Sequence, residues 1–132
     1  MTRVLVAEDD EALRGLVVLI LRREGLDVSA VADGARAVDS ALARRPDLVV
    51  LDGQMPKLTG QEVCQRLRAN AEVADVPILM LSGSLEPGEP RLSREAGADA
   101  YLQKPFTSDE LVQSVRALVG NGRDEPADRS IS

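Results

Sequence analysis

The chain has 132 residues, of which 44% are hydrophobic and 29% charged, and its formal net charge is −6. This length and composition predict one globular domain, and the negative charge argues against direct binding of nucleic acid. The sequence contains no histidine and one cysteine, Cys64, which excludes histidine-based catalysis, the common zinc sites and an internal disulfide. It shows no signal peptide and no apolar run long enough to span a bilayer, so we expect a cytoplasmic protein without membrane contact.

The first part of the chain alternates strand and helix patterns. Short apolar runs predict strands at residues 3–7, 27–31 and 47–51, and the third run is continuous, as in a strand covered on both faces. Helical spacing predicts helices at 10–24 and 33–45, with aspartates as start signals and Gly25 after the first helix. We expect their apolar residues to face the core: Leu13, Leu16, Val17, Ile20, Leu21, Ala37, Val38, Ala41 and Leu42.

The second part continues the alternation. A helix is predicted at 59–70, a strand at 76–81, a short strand at 98–103 and a helix at 107–119. Between the two strands, two prolines and a glycine within residues 86–90 disfavour helix formation. The fourth helix should therefore begin late, between residues 87 and 91, and end at Gly97, and we expect residues 83–91 to be mobile.

Strands that alternate with helices predict a parallel sheet with helices on both faces, which is a doubly wound α/β fold. The apolar patterns stop near residue 119, and residues 120–132 are almost entirely polar. We therefore expect one domain at 1–119, followed by a polar tail or linker at 120–132.

Polar or ionisable residues end four of the five predicted strands. Glu8 and Asp9 follow the first strand, Asp52 the third, Ser82 the fourth and Lys104 the fifth. In an open α/β sheet the ligand crevice lies at the carboxyl ends of the strands. If the first and third strands are neighbours, the three carboxylates converge there.

Converging carboxylates need a cation. Two of them ~4 Å apart repel by roughly 4 kcal/mol at an effective dielectric of about 20. A cluster of oxygen donors without histidine or cysteine suits Mg²⁺ or Mn²⁺, and Lys104 would add a second positive charge across the crevice. Such a pocket fits a phosphoryl group.

At this point the sequence resembles the receiver domains of two-component response regulators. The resemblance covers residues 2–119 and implies a flavodoxin-like (βα)5 fold with strand order 2-1-3-4-5. It rests on five motifs in the expected order: Val4-Leu5-Val6-Ala7-Glu8-Asp9-Asp10, Leu51-Asp52-Gly53-Gln54-Met55-Pro56, Leu81-Ser82-Gly83, Gly97-Ala98-Asp99-Ala100-Tyr101 and Lys104-Pro105-Phe106.

The resemblance also implies roles for individual residues. Asp52 matches the phosphoacceptor, Lys104 the lysine that pairs with the phosphoryl group, and Ser82 the switch hydroxyl. Asp9 and Asp52 would bind the metal directly, Glu8 would act through water, and the main-chain carbonyl of Gln54 would be a further ligand. Tyr101 matches the aromatic residue whose rotamer follows activation.

The implied function is that of a phosphorylation-controlled signalling module within a phosphorelay. A sensor histidine kinase or phosphotransfer protein would donate the phosphoryl group to Asp52. The surface around the fourth helix, fifth strand and fifth helix would then change for a downstream protein or for a homodimer. The chain would not be an enzyme that turns over an external substrate.

Three other functions stay open. A flavodoxin-like redox carrier would share the fold, but residues 8–11 (Glu-Asp-Asp-Glu) would repel a flavin phosphate. A phosphatase with an aspartyl nucleophile normally carries a second aspartate where this chain has Gln54. A degenerate receiver that acts only as a scaffold would lack a complete set of acids and lysine.

Four positions depart from the family pattern or sit where family members vary. Ser82 stands where threonine is commoner and keeps the hydroxyl, and Gly83 stands where alanine is commoner. Gln54 and Ser84 flank the expected phosphoryl site, where they would tune the access of hydrolytic water.

Overall fold

The computed structural model describes residues 1–83 and 88–119, which form five strands and five helices in strict alternation. The strands are β1 (Arg3–Ala7), β2 (Asp27–Val31), β3 (Leu48–Asp52), β4 (Ile78–Ser82) and β5 (Ala100–Gln103). The helices are α1 (Glu11–Arg23), α2 (Gly34–Ala43), α3 (Gly60–Arg68), α4 (Glu89–Ala96) and α5 (Ser108–Val119). No helix within these ranges has the length and apolarity of a membrane span.

All five strands are parallel, and their order is β2-β1-β3-β4-β5, which confirms the predicted doubly wound fold. The central pairing places Ala7 of β1 beside Leu51 of β3. Glu8 and Asp52 each follow one of these paired residues. The first and third strands are therefore neighbours, which is the arrangement that we expected to bring the three carboxylates together.

The sheet separates two apolar cores, and β3 contributes to both because every one of its residues is buried. Val49 and Leu51 belong to the core beneath α2, α3 and α4. Leu48 and Val50 belong to the core beneath α1 and α5. Two-sided burial explains why this run is continuous in hydrophobicity rather than alternating.

Side-chain caps begin the helices where the sequence predicts. Asp10 accepts hydrogen bonds from the amides of Ala12 and Leu13, and Asp33 accepts one from Arg36. Thr107 and Glu110 exchange hydrogen bonds with each other's backbone N–H at the start of α5. These caps satisfy donors that the first turn of a helix leaves unpaired, which is why they mark helix starts so reliably.

Several predicted boundaries were wrong by one or two residues. Asp52 is the last residue of β3 rather than the first residue beyond it, because it still pairs with Leu81 of β4. β5 begins at Ala100 rather than residue 98, because the amide of Ala98 bonds back to Ser93 in the turn that ends α4. Similarly, β4 begins at Ile78, while α2 and α3 end at Ala43 and Arg68, each short of its predicted end.

Two predicted core residues are exposed. Leu16 on α1 has 49% of its surface exposed, and Leu42 on α2 has 38%. Leu16 precedes the buried Val17, and Leu42 follows the buried Ala41. A step of one residue along a helix turns the side chain by about 100°, away from the apolar stripe. Leu16 lines an open cavity of about 610 Å³ beside Phe106.

α4 begins at Glu89, in agreement with a late start, and its first turn has no side-chain cap. It ends at Ala96, one residue before the predicted end, and its C-cap Gly97 has a φ of 118°, in the left-handed region that favours glycine. Residues 84–87 and 120–132 lie outside the described residues. The expected mobility of 83–91, the role of Ser84 and the polar tail therefore stay predictions.

Candidate functional site: an acidic cluster at the carboxyl edge of the sheet

Three carboxylates meet where β1 and β3 end. Glu8 and Asp9 follow β1 and Asp52 closes β3, and one carboxylate oxygen from each lies within 4.8 Å of the others. Glu8 is completely buried and Asp52 is 4% exposed, whereas Asp9 is exposed. The cluster is therefore open to solvent on the side of Asp9.

Lys104 bridges two of these acids. Its Nζ donates to Oε1 of Glu8 at 3.0 Å and to Oδ1 of Asp52 at 3.1 Å. The backbone N–H of Lys104 donates to the carbonyl of Ser82 at 2.8 Å, which attaches the end of β5 to the end of β4. One ammonium group cannot neutralise three ionised carboxylates, so the cluster retains a deficit of positive charge.

Backbone groups hold the two buried carboxylates in place. The N–H of Asp10 donates to Oε2 of Glu8 at 3.1 Å, and the N–H of Gln54 donates to Oδ1 of Asp52 at 3.2 Å. The guanidinium of Arg14 donates to the main-chain carbonyl of Glu8 at 3.0 Å. These contacts fix the carboxylates before any ligand arrives.

The charge deficit is visible in the pKa of Glu8, which is raised from 4.5 to about 7. Burial is the main cause, followed by the hydrogen bond with Asp52 and the negative charge of that residue, while the Asp10 amide and Lys104 act in the opposite direction. The pKa of Lys104 is raised: burial lowers it, but the hydrogen bond to Glu8 and the nearby negative charges outweigh burial. A cation at the cluster would favour the ionised form of Glu8.

The donor set fits Mg²⁺. All three side chains offer oxygen, and Mg²⁺ is typically bound by one or two carboxylates while it keeps several waters. Asp9 and Asp52 would hold the ion directly. Both oxygens of Glu8 already accept hydrogen bonds, from Lys104 and from Asp10, which suits the indirect role expected for it.

The other predicted site residues lie on three neighbouring segments: Ser82 on β4, Gln54 in the loop after β3 and Tyr101 on β5. Ser82 is fully buried and is the last residue of β4, between the ends of β3 and β5. Gln54 contributes its backbone N–H to Asp52, and its side chain is exposed. Tyr101 pairs with Met80 near the middle of β5 and packs against the core beneath α2, α3 and α4. Among the residues described, the predicted cluster thus consists of Glu8, Asp9, Asp52 and Lys104.

Sequence reasoning missed two features next to the cluster. The first is Arg14 of α1, which binds the carbonyl of Glu8. Nothing in the local sequence signals this contact, because its acceptor is a main-chain carbonyl. The second feature is an ion pair between Asp33 and Lys57, which lie in different loops and give no signal in the sequence.

Comparison with known proteins agrees with this geometry. The family model for the response regulator receiver domain matches residues 4–116. The DNA-binding response regulator MtrA of Mycolicibacterium smegmatis is 41% identical over 126 residues, which are 96% of this chain and 54% of that protein. The chain therefore spans about half the length of the curated relatives it matches.

Solved structures agree as well. The chemotaxis response regulator CheY4 of Vibrio cholerae superposes with a TM-score of 0.85 at 30% identity, covering 90% of this chain and 99% of that one. The receiver domain of sensor histidine kinase PA1611 from Pseudomonas aeruginosa superposes with a TM-score of 0.84 at 32% identity, covering 91% and 98%. That structure holds a magnesium ion in its active-site cleft.

Proposed function

Because the chain belongs to the response regulator receiver family, we propose that it accepts a phosphoryl group on Asp52 in a reaction that requires Mg²⁺. One observation carries the proposal. Carboxylates from the ends of two adjacent strands converge within 4.8 Å of one another, and Lys104 contacts two of them. Structural ion pairs normally balance their charges, whereas this cluster is short of positive charge and open on one side.

The proposed reaction uses one carboxylate oxygen of Asp52 as the nucleophile. Oδ1 is already held by Lys104 and by the amide of Gln54, which leaves Oδ2 for attack on phosphorus. The new O–P bond forms as the donor's N–P bond breaks, and the electron pair of that bond leaves with the donor's imidazole nitrogen. The donor would be a phosphohistidine on a histidine kinase or phosphotransfer protein.

The electrostatics of the site decide whether this approach is possible. Mg²⁺, when bound, supplies positive charge to the phosphoryl oxygens and to the acids. Lys104 supplies a second positive charge, and it can leave Glu8 for a phosphoryl oxygen without leaving the cluster. The chain mainly orients the nucleophile and neutralises charge, which is the protein's usual contribution to phosphoryl transfer.

Phosphorylation would act as a switch through the ends of β4 and β5. Ser82 and Lys104 are joined by a backbone hydrogen bond, so movement of either toward the phosphoryl group displaces both strand ends. Tyr101, two residues before the end of β5, would respond on the α4-β5-α5 surface. A shift from 1:99 to 99:1 requires about 5.5 kcal/mol, and a phosphoryl group with Mg²⁺ and two new charge-assisted contacts would supply a good part of it.

The output would be a protein contact, either with a downstream partner or with a second copy. The matched relatives include DNA-binding regulators about twice as long as this chain, but a net charge of −6 gives this domain itself no attraction for nucleic acid. A cytoplasmic location belongs to the same proposal. The only catalysis expected is at the chain's own Asp52.

The test is intact-mass measurement after incubation with acetyl phosphate. With Mg²⁺, wild type should gain the mass of one phosphoryl group, whereas wild type with EDTA and Asp52→Asn with Mg²⁺ should not. An adduct on both proteins, or on neither while both remain folded, would remove Asp52 from this role. The second of these outcomes would favour a scaffold that works without phosphorylation.

A further inference from the structure

The loop between β3 and α3 contains an unusual backbone conformation at Lys57. Its φ is 74°, and it is the one non-glycine residue with positive φ in residues 1–83 and 88–119. A lysine in the left-handed region is strained by its Cβ, so such residues persist only where surrounding contacts compensate. The contacts of Lys57 should therefore reveal what the conformation achieves.

Lys57 reaches across to the start of α2. Its Nζ lies 3.6 Å from Oδ2 of Asp33, whose side chain is only 9% exposed although that of Lys57 is 63% exposed. The other oxygen of Asp33 caps α2 by accepting from the N–H of Arg36 at 2.8 Å. Both this hydrogen bond and the charges of Lys57 and Arg36 lower the pKa of Asp33. The acid is thus ionised and fixed at the helix start.

The next residues of each segment are also in close contact. Gly34 follows Asp33, and a Cβ at this glycine would lie 2.4 Å from the carbonyl oxygen of Leu58 and 2.6 Å from its Cβ. Only glycine allows α2 and the loop to approach this closely. Together, the ion pair and the glycine contact attach the β3–α3 loop to the start of α2.

This attachment spans the strands that carry the acidic cluster. On one side, α2 follows β2, whose last residue, Val31, accepts a hydrogen bond from the N–H of Glu8 at 3.1 Å. On the other side, the loop begins directly after Asp52 and contains Gln54. Because β1 lies between β2 and β3, the contact closes one rim of the crevice in which Glu8 and Asp9 lie.

We propose that Lys57 and Asp33 form a clamp that positions the β3–α3 loop, and with it the backbone of Gln54, for Mg²⁺ binding beside Asp52. Both are positioning residues, since neither contacts the acids of the cluster. The inference rests on the proposed function, because it assigns these residues to the same metal site. It also explains why a strained lysine occupies a position that glycine or asparagine would adopt more readily.

The test compares Mg²⁺ affinity among four variants, measured from amide shifts in the loop after β1. Lys57→Asn removes the ammonium group but tolerates the left-handed backbone. Asp33→Asn keeps an oxygen for the helix cap, and the double variant combines the two. Arg36→Gln is the matched control, because Arg36 also lies 3.6 Å from Asp33 and is similarly exposed but belongs to α2 and does not touch the loop.

For Lys57→Asn, loss of charge alone and loss of the clamp predict opposite changes in Mg²⁺ affinity. Removal of a positive charge near a cation site should tighten Mg²⁺ binding, whereas loss of the clamp should weaken it, by about threefold to fivefold for an ion pair whose lysine is exposed. We expect Lys57→Asn to bind Mg²⁺ more weakly than wild type does. Its urea unfolding midpoint should be equal to that of wild type or higher. Arg36→Gln should not weaken binding, and Lys57→Asn should add nothing in the Asp33→Asn background.

The outcomes separate the inference from the proposed function. Unchanged or tighter Mg²⁺ binding by Lys57→Asn, while wild type binds Mg²⁺ and takes the phosphoryl group, would overturn the clamp alone. Equal weakening by Arg36→Gln would also overturn it. Failure of wild type to bind Mg²⁺ or to be phosphorylated would overturn the proposed function, and the clamp with it.

Discussion

The two edges of the sheet use charged side chains in opposite ways. At the amino edge, the guanidinium of Arg68 donates to the carbonyls of Ala74, Val76 and Gly97 and to the carboxylate of Asp99. Asp99 in turn accepts from the amide of Ile78 at 2.8 Å. Every group there has a partner of complementary charge or polarity.

At the carboxyl edge, three acids share one lysine, and burial together with neighbouring charge raises the pKa of Glu8 to about 7. Both clusters combine acids with one basic residue, but the side chains of Glu8 and Asp52 are 1% and 6% exposed, whereas that of Asp99 is 45% exposed. The comparison teaches that a cluster with balanced charge holds structural elements together, whereas a cluster with excess negative charge can bind a cation and, through it, a phosphoryl group.

The largest effect on stability is expected at the balanced edge. Arg68→Met keeps much of the side-chain volume but leaves three carbonyls and a carboxylate without their donor. We expect the free energy of unfolding to fall by about 3 kcal/mol. Urea unfolding would measure this, with Arg66→Met, an exposed arginine on the same helix, as the control. A loss below about 1 kcal/mol, as for an ordinary surface pair, would contradict the structural role.

The next effect is a pH dependence at the unbalanced edge. Between pH 4.5 and about 7 the folded protein keeps a proton on Glu8 that the unfolded chain has already lost, so stability without Mg²⁺ falls as pH rises through this window. We expect a contribution on the order of 2 kcal/mol. The measurement is urea unfolding of wild type and Glu8→Gln at several pH values.

Glu8→Gln cannot ionise and should lack this contribution, so the two stability curves should diverge with rising pH. Identical pH dependence in both proteins would show that Glu8 titrates normally. Addition of Mg²⁺ should reduce the difference, because the cation favours the ionised form.

The smallest effect is expected from Asp52→Asn, and its sign is the informative part. The substitution removes one of three crowded carboxylates, which relieves repulsion, but it also removes an ion-pair partner of Lys104. We expect a net gain of about 1 kcal/mol without Mg²⁺. Asp99→Asn at the other edge should instead lose stability. Destabilisation by both substitutions would mean that the two edges do not differ as described.

The sequence predicted much of the site because the relevant residues stand at positions with a strong local signal. Each follows a short apolar run, and the carboxyl ends of parallel strands share one edge of the sheet. Arg14 and the pair of Asp33 and Lys57 were missed for the converse reason. Their partners are a main-chain carbonyl and a side chain from another loop, and neither leaves a pattern in the local sequence.

Boundaries were predicted less well than elements. β5 starts later than its apolar run because the turn at Gly97 and the hydrogen bonds of Asp99 occupy the preceding residues. Leu16 and Leu42 fit a helical apolar pattern but lie at the margin of their stripes, so packing decided their exposure.

By itself, the sequence determined the alternation of strands and helices, the polar residues at strand ends and the supply of oxygen ligands without histidine. Local periodicity and composition suffice for these features, because each depends on residues close together in the chain. Only the tertiary structure decided that Glu8 and Asp52 are both buried against one lysine, that Arg68 joins three segments, and that Lys57 contacts Asp33. Those features depend on distances between segments far apart in the chain, which strand order and packing set.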